Sequence, residues 1–330
     1  MTMRTERFQH IIAEFCVGDK KLWEIAENFR TEMQWGLIDD RKSSLRMLKS
    51  YAGLPTGKET GEYLALDFGG TNLRVLRICL LGNGRYEVVK KVARPLRTVN
   101  YDVTTSDASA ESLFDFIARM IAEVIDDNPS QQFLLGHTFS FPSTQTNLYN
   151  ARLITWTKEF ATQGVEGQVV NDLLEAALER ADLANVKPVA VINDTVAVLL
   201  AAAYTHASTY VGSLYATGHN TCYFESFANQ PETAMIVNME AGGFNKLTAN
   251  RFDLRYDEMT EKPGTQRLEK MVSGRYMGEL FCLALNEALE EELKPFSSID
   301  LSHIIQDKSA DLRTVQAIIA ERSKTELSLY

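Results

Sequence analysis

Short polar islands lie between apolar runs along this chain, and their residue types are those that do chemistry. The densest is Leu64-Ala-Leu-Asp67-Phe-Gly69-Gly70-Thr71-Asn72-Leu-Arg74-Val-Leu. An apolar run ends in a carboxylate. Two glycines and two small polar residues follow, and a second apolar run begins. That order predicts strand, tight turn, strand. Glycine has no Cβ, so the amides of such a turn can converge on one anion. Asp67 at the strand end has the oxygen chemistry that holds Mg²⁺, directly or through water. The same residues also fit a plain hairpin with Asp before a Gly-Gly turn, and taken alone they leave both readings open.

A second strand-turn-strand stands at Gly212-Ser-Leu-Tyr-Ala216-Thr217-Gly218-His219-Asn220-Thr221-Cys222-Tyr-Phe224. It echoes the first, which suggests a duplicated α/β fold with one phosphate-facing turn in each half. Further islands are His137-Thr-Phe139-Ser140-Phe141-Pro142, Ile154-Thr155-Trp156-Thr157-Lys158, Val191-Ile192-Asn193-Asp194-Thr195, Asn238-Met239-Glu240 and Gln266-Arg-Leu-Glu269-Lys270. Hydroxyls, amides, carboxylates and lysine ammonium groups are the groups that hydrogen-bond a polyol. Each island alone also reads as a helix cap or a surface pair. At Asn193-Asp194-Thr195 the residue types are good N-caps.

The elements that must position these groups follow from periodicity. Residues 5–50 read as two or three helices, with Phe8, Ile11, Ile12, Phe15 and then Leu22, Ile25, Ala26, Phe29 at helical spacing. Strands are predicted at Tyr63–Phe68, Leu73–Leu81, Tyr86–Val92, Phe133–Phe141 and Val189–Ile192. Helices are predicted at Glu111–Ile125, Glu166–Ala181, Val196–Tyr204 and across Leu268–Leu293. Within that last stretch Gly274 and Gly278 stand one turn apart, where a neighbour can pack closely. Ser297–Tyr330 reads as polar and helical.

The chain has 330 residues, 45% hydrophobic and 24% charged, enough for a sizeable core. Its formal net charge of −10, with no basic block, argues against nucleic-acid and anionic-membrane partners. Four scattered cysteines without a CxxC pair indicate neither zinc nor a disulfide framework. No apolar run reaches membrane-spanning length and the N-terminus has no leader-type segment, so the expected location is cytoplasmic. Oligomeric state is not legible.

In this order, LALDFGGTNLRVL, TFSFP, LITWTK, VINDTV, ATGHNTCYFE, NMEAGGF and PGTQRLEKMVSGRYMGE resemble consecutive blocks of the hexokinase family, from about Met47 to Glu279. Seven blocks in register are far more specific than any one motif. The resemblance implies a two-domain α/β fold of the actin-like ATPase (ribonuclease H-like) type, with a cleft between a small and a large domain. Residues 1–60 would be N-terminal helices of the large domain, 61–192 the small domain and 193–330 the rest of the large one. It implies transfer of the γ-phosphoryl of Mg·ATP to the 6-hydroxyl of glucose or a related hexose, the first step of glycolysis. Matched by position, the sugar contacts would be Ser140, Phe141, Thr157, Lys158, Asn193, Asp194, Asn220, Glu240 and Glu269. Asp194 would be the general base and Lys158 a second catalytic group. Asp67, Gly69, Gly70, Thr71, Asn72, Arg74, Thr217 and Gly218 would serve ATP, with Asp67 holding Mg²⁺ through water. A carboxylate beside the attacking hydroxyl can take its proton as the O–P bond forms.

The match departs at four places. Ala216 stands where the family has Gly, which requires a negative φ there. His219 replaces a small residue and is expected to be an exposed turn histidine. Ala241 replaces a large aromatic, which puts sugar selectivity in question. A Gly-rich adenosine-binding segment and a final helix have no visible counterpart before Tyr330. The alternative expectation is therefore a catalytically impaired sugar-binding or sensor relative.

Overall fold

A computed structural model describes residues 3–126, 128, 130–157, 160–226 and 233–323. It divides into two compact units. Unit 1 comprises 1–47, 213–221 and 239–330, and unit 2 comprises 48–212 and 222–238.

Unit 1 opens with two helices, α1 (Met3–Phe15) and α2 (Asp19–Ile38), and a three-residue 3₁₀ turn at Asp40–Lys42. Ile11 of α1 is buried with Phe252, Tyr256, Leu280 and Ala284. The apolar spacing of the N-terminal segment is thus used as a helix face.

Unit 2 begins at the short strand β1 (Leu48–Lys49). It is built on a five-stranded sheet. Three antiparallel strands come first: β2 (Thr60–Phe68), β3 (Asn72–Gly82) and β4 (Arg85–Pro95). Helix α3 (Ala110–Ile125) starts at the N-cap Ser109, whose side chain accepts the Ser112 N–H. Strand β5 (Phe133–Phe139) then pairs parallel to β2. Two-residue strands β6 (Ser143–Thr144) and β7 (Arg152–Leu153) form a ribbon. Helix α4 (Val170–Arg180) leads to β8 (Val186–Ile192), parallel to β5, and α5 (Asp194–Thr205) follows. The sheet order is β4-β3-β2-β5-β8. The continuous core joins Leu64, Leu66, Val75 and Leu135 of the sheet to Leu113, Phe114, Ile117 and Ile121 of α3. α3 needs no help from propensity, since its apolar stripe is fully buried.

Two strands continue past the edge of unit 2: β9 (Val211–Tyr215) and β10 (His219–Glu225). Within unit 2, Cys222–Glu225 of β10 and the whole of β1 flank β11 (Met235–Asn238), both antiparallel. The rest of unit 1 is helical: α6 (Arg251–Met259), α7 (Arg267–Val272), α8 (Gly274–Leu289), α9 (Ser298–Gln306) and α10 (Arg313–Arg322). Among the described residues no helix is long and apolar enough to cross a membrane.

Several element ends differ from the sequence expectation, and three of the differences have a clear physical reason. The helix expected at Glu166–Ala181 starts only at Val170. The backbone before it pairs with Leu153 instead, through Gly167 N–H to the Leu153 carbonyl at 2.8 Å and Leu153 N–H to the Gln168 carbonyl at 3.2 Å. Gly167 has φ +78, outside any helix. The strand expected at Phe133–Phe141 ends at Phe139, which frees Ser140 from the ladder. The helix expected across Leu268–Leu293 is two helices. Ser273 breaks it with ψ 153. The first amides of α8 turn to other acceptors, Gly274 to the Ala216 carbonyl at 2.8 Å and Arg275 to that of Thr217 at 3.1 Å.

Candidate active site

In unit 2, strand register brings the first set together. Asp67, next to last in β2, lies opposite Arg74 of β3 and Thr138 of β5. Cross-strand partners share a face. Hence Arg74 Nη1 reaches Asp67 Oδ2 at 2.6 Å, and Thr138 Oγ1 donates to Asp67 Oδ1 at 3.1 Å. The Phe68 N–H donates to Thr138 Oγ1 at 3.3 Å, so that hydroxyl has its proton committed to Asp67. The Asp67 side chain is 39% exposed. An ion pair this open is worth under about 1 kcal/mol, so Arg74 can exchange Asp67 for another anion at little cost. The turn that follows holds Gly69, Gly70 and Thr71, and Asn72 Nδ2 donates to Thr71 Oγ1 at 3.1 Å.

The glycines of the two turns do not serve left-handed backbone. Gly69, Gly70 and Gly218 are absent from the positive-φ residues. What the turns use is lack of bulk: a Cβ on Gly69 would meet the Asn72 carbonyl at 3.1 Å. Ala216 is likewise not among the positive-φ residues, so its methyl is accommodated.

An aromatic cluster ties this strand end to the next two islands. Phe68, Phe139, Phe141, Trp156 and Phe160 pack mostly edge to face or tilted, with Phe141 and Trp156 centroids 4.7 Å apart, while Trp156 and Phe160 stack. Phe141, only 6% exposed, contributes its ring to this packing. Trp156 is held by its indole N–H on the Thr162 carbonyl at 2.8 Å and its backbone N–H on Glu166 Oε1 at 2.8 Å. Ser140 and Thr157 leave the cluster as half-buried residues at its edge. Lys158 lies outside the described residues.

Asn193 and Asp194 sit where β8 passes into α5. Asn193 is the N-cap, and its Oδ1 accepts the Thr195 N–H at 2.9 Å. Capping uses only Oδ1, and among the described residues no acceptor takes the Asn193 Nδ2. Asp194 accepts from the Thr195 N–H at 2.8 Å and its hydroxyl at 3.4 Å, both on Oδ1. Oδ2 receives no hydrogen bond from a described residue. Below the loop, Cys222 Sγ is buried and donates to the Thr195 carbonyl at 3.2 Å. Burial, with the Asp194 charge nearby, pushes that thiol up to about 12, so it is an inert packing group.

Unit 1 carries the second set. Asn220 Oδ1 accepts the Thr221 N–H at 2.7 Å and the Ala241 N–H at 3.1 Å. Those two donors fix the amide, so Nδ2 faces Glu240 Oε1 at 3.5 Å. Glu240 itself is left-handed, φ 53 and ψ 50, a conformation that costs a non-glycine residue about 1 kcal/mol or more. Glu269, in α7, accepts the His219 N–H on Oε2 at 2.9 Å. Thr217 is exposed at the tip, beside Gly218.

The expectation of an exposed His219 is corrected. Its ring is buried, stacked on Tyr215 with centroids 4.2 Å apart, and its Nδ1 lies 3.1 Å from the Leu214 carbonyl. Burial lowers its pKa, against the Leu214 carbonyl and the Glu269 charge. The sequence reading did not assign Thr138, which bonds Asp67. Thr138 is visible only through the parallel register of β5 on β2.

An α/β sheet of order β4-β3-β2-β5-β8 with a phosphate-type turn on its first hairpin, and a second such hairpin further on, defines a protein of the actin-like ATPase fold. The chain belongs to the hexokinase family, which matches residues 7–204 and again 210–328. It is 32% identical to Hexokinase-1 of Schizosaccharomyces pombe over 321 residues, 92% of this chain. It spans 65% of that relative, less than two thirds of its length. Among solved structures, a hexokinase crystal structure superposes with a TM-score of 0.85 at 30% identity, covering 99% of this chain and 79% of that one. A Schistosoma mansoni hexokinase complexed with glucose superposes at 0.74, also at 30% identity, covering 97% and 78%.

Proposed function

We propose that this chain transfers the γ-phosphoryl group of Mg·ATP to the 6-hydroxyl of glucose or a similar hexose. The observation that carries the reading is Asp194. Its Oδ1 is held by the amide and hydroxyl of Thr195, while Oδ2 receives no hydrogen bond from a described residue. A carboxylate oriented through one oxygen and open at the other is what a general base requires. Asp194 Oδ2 takes the hydroxyl proton as the sugar oxygen bonds to phosphorus, and the leaving nucleotide departs with the electrons of the broken P–O bond.

The remaining groups divide by chemistry. By residue type, Ser140, Thr157, Lys158, Asn193, Asn220, Glu240 and Glu269 carry the groups that suit a polyol. The fixed amide of Asn220 and the two carboxylates orient hydroxyls, which raises specificity because unmatched polar groups are costly. Gly69, Gly70, Thr71, Asn72, Arg74, Thr217 and Gly218 suit phosphate oxygens. Asp67 supports a metal role: it offers one partly exposed carboxylate oriented by the Thr138 hydroxyl, a chemistry that suits a hard cation keeping phosphate and water ligands. When bound, Mg²⁺ would neutralise phosphate charge there.

A coupled assay of ADP release with Mg·ATP and glucose tests this. Asp194→Asn is expected to lower kcat by about 100-fold to 10,000-fold. Its glucose affinity by calorimetry should stay within a few-fold. Glucose binding without turnover in the unaltered chain would support the sensor reading instead.

A further inference from the structure

We propose that Lys270 and Asp257 form a buried clamp that positions Glu269, and that this clamp sets the hexose affinity of unit 1; the inference rests on the function proposed above. Helix α7, which carries Glu269, has only six residues. Helices below about a dozen residues are marginal alone, so its orientation must come from tethers. One tether is Lys270, which is 6% exposed. Its Nζ donates to Asp257 Oδ1 at 2.6 Å, Thr260 Oγ1 at 2.8 Å and the Lys262 carbonyl at 2.8 Å. All three ammonium protons are thereby used. Asp257 is buried as well, and its Oδ2 accepts the Gly264 N–H at 2.8 Å and Arg267 Nη1 at 2.9 Å. Burial opposes its charge, yet the lysine and the other donors hold its carboxyl below the usual range.

The second tether is Glu269 itself, on the His219 N–H. Adjacent helical residues project about 100° apart, so α7 is pinned on two faces by consecutive side chains. The first pin also fixes the loop 260–266, which ends at the left-handed Gln266, φ 50. A buried ion pair adds little net stability, but removing one partner strands the other. Its directed hydrogen bonds specify one position for α7, which an apolar contact would not.

Glucose binding to the full chain, measured by calorimetry, tests this with Glu269→Gln, Lys270→Met, their combination, and Thr260→Val. Lys270→Met should raise the glucose Kd about tenfold or more. Thr260→Val, which keeps the ion pair, should shift it in the same direction by less, and it serves if Lys270→Met does not fold. The double variant should bind no more weakly than Glu269→Gln alone, because Lys270 acts through Glu269. A merely structural role lowers the fraction of binding-competent molecules and leaves the Kd of the rest unchanged. That result, or fully additive losses, overturns the clamp. An unchanged Kd in Glu269→Gln overturns the assignment of Glu269 itself, and with it the functional reading of α7.

Discussion

Glu269 Oε2 accepts the His219 N–H at 2.9 Å, and the same oxygen lies 2.7 Å from where a Cβ on Gly218 would sit. A carboxylate proposed for sugar and a turn proposed for phosphate are therefore one packed object, although 50 residues separate His219 from Glu269 in sequence. Glycine at 218 is explained by that oxygen rather than by backbone conformation.

Gly218→Ala follows directly. The obstructing atom is the end of a flexible side chain, so the fold can absorb the methyl by moving Glu269. Tm should fall by less than about 4 °C, while glucose Kd rises about tenfold. Lost stability with unaltered affinity would separate Glu269 from the sugar set.

Much of this was legible because local chemistry and tertiary structure agree at these positions. Asp67-Phe-Gly69-Gly70-Thr71 does end one strand and open the next, and Asn193 does cap a helix. What stayed hidden depended on register and on contacts distant in sequence. Thr138 belongs to Asp67 only because β5 pairs parallel to β2 at that residue. The break at Ser273 exists because the Ala216 and Thr217 carbonyls draw away the amides that a continuous helix would use. His219 is buried with its ring stacked on Tyr215 and its amide on Glu269, 50 residues away in sequence. No periodicity encodes such partners.

Thr138→Val keeps a β-branched strand residue but deletes the hydroxyl between Asp67 and the Phe68 amide. Outer partners of a metal-holding carboxylate typically matter about tenfold or more in metal affinity. The Mg²⁺ concentration for half-maximal activity should rise about tenfold at unchanged glucose KM. An identical Mg²⁺ requirement would remove Asp67 from the metal role.

Gly278→Ala tests the packing of α8 against the segment before α9. A Cβ there would come within 2.0 Å of the Phe296 carbonyl oxygen, a backbone atom that cannot swing aside. α8 must separate from the segment before α9, opening the cluster of Cys282, Leu293 and Phe296. Overpacking of this kind costs about 3 kcal/mol. Urea unfolding should show the loss, and an unchanged midpoint would mean the 294–297 segment adapts freely.

His137 gives the pH dependence its sign. Asn171 Nδ2 donates to the Tyr149 carbonyl at 2.9 Å, which leaves its Oδ1 to accept from His137 Nε2 at 2.8 Å. Nε2 therefore carries the ring proton, and Nδ1 is buried with no hydrogen-bond partner. Burial drives the pKa from 6.5 to about 4, against the smaller pull of Asn171 and the Thr138 backbone. Between those values the unfolded chain binds more protons than the folded one, so stability falls as pH drops through that window. The full difference is about 3 kcal/mol. His219, also lowered by burial, shifts stability with the same sign, so the informative quantity is the difference between wild type and His137→Gln. Glutamine can keep an N–H toward Asn171 but takes up no proton. Urea midpoints at pH 7 and pH 4.5 should diverge less in the variant than in wild type, and equal divergence would mean His137 is solvated before the fold opens.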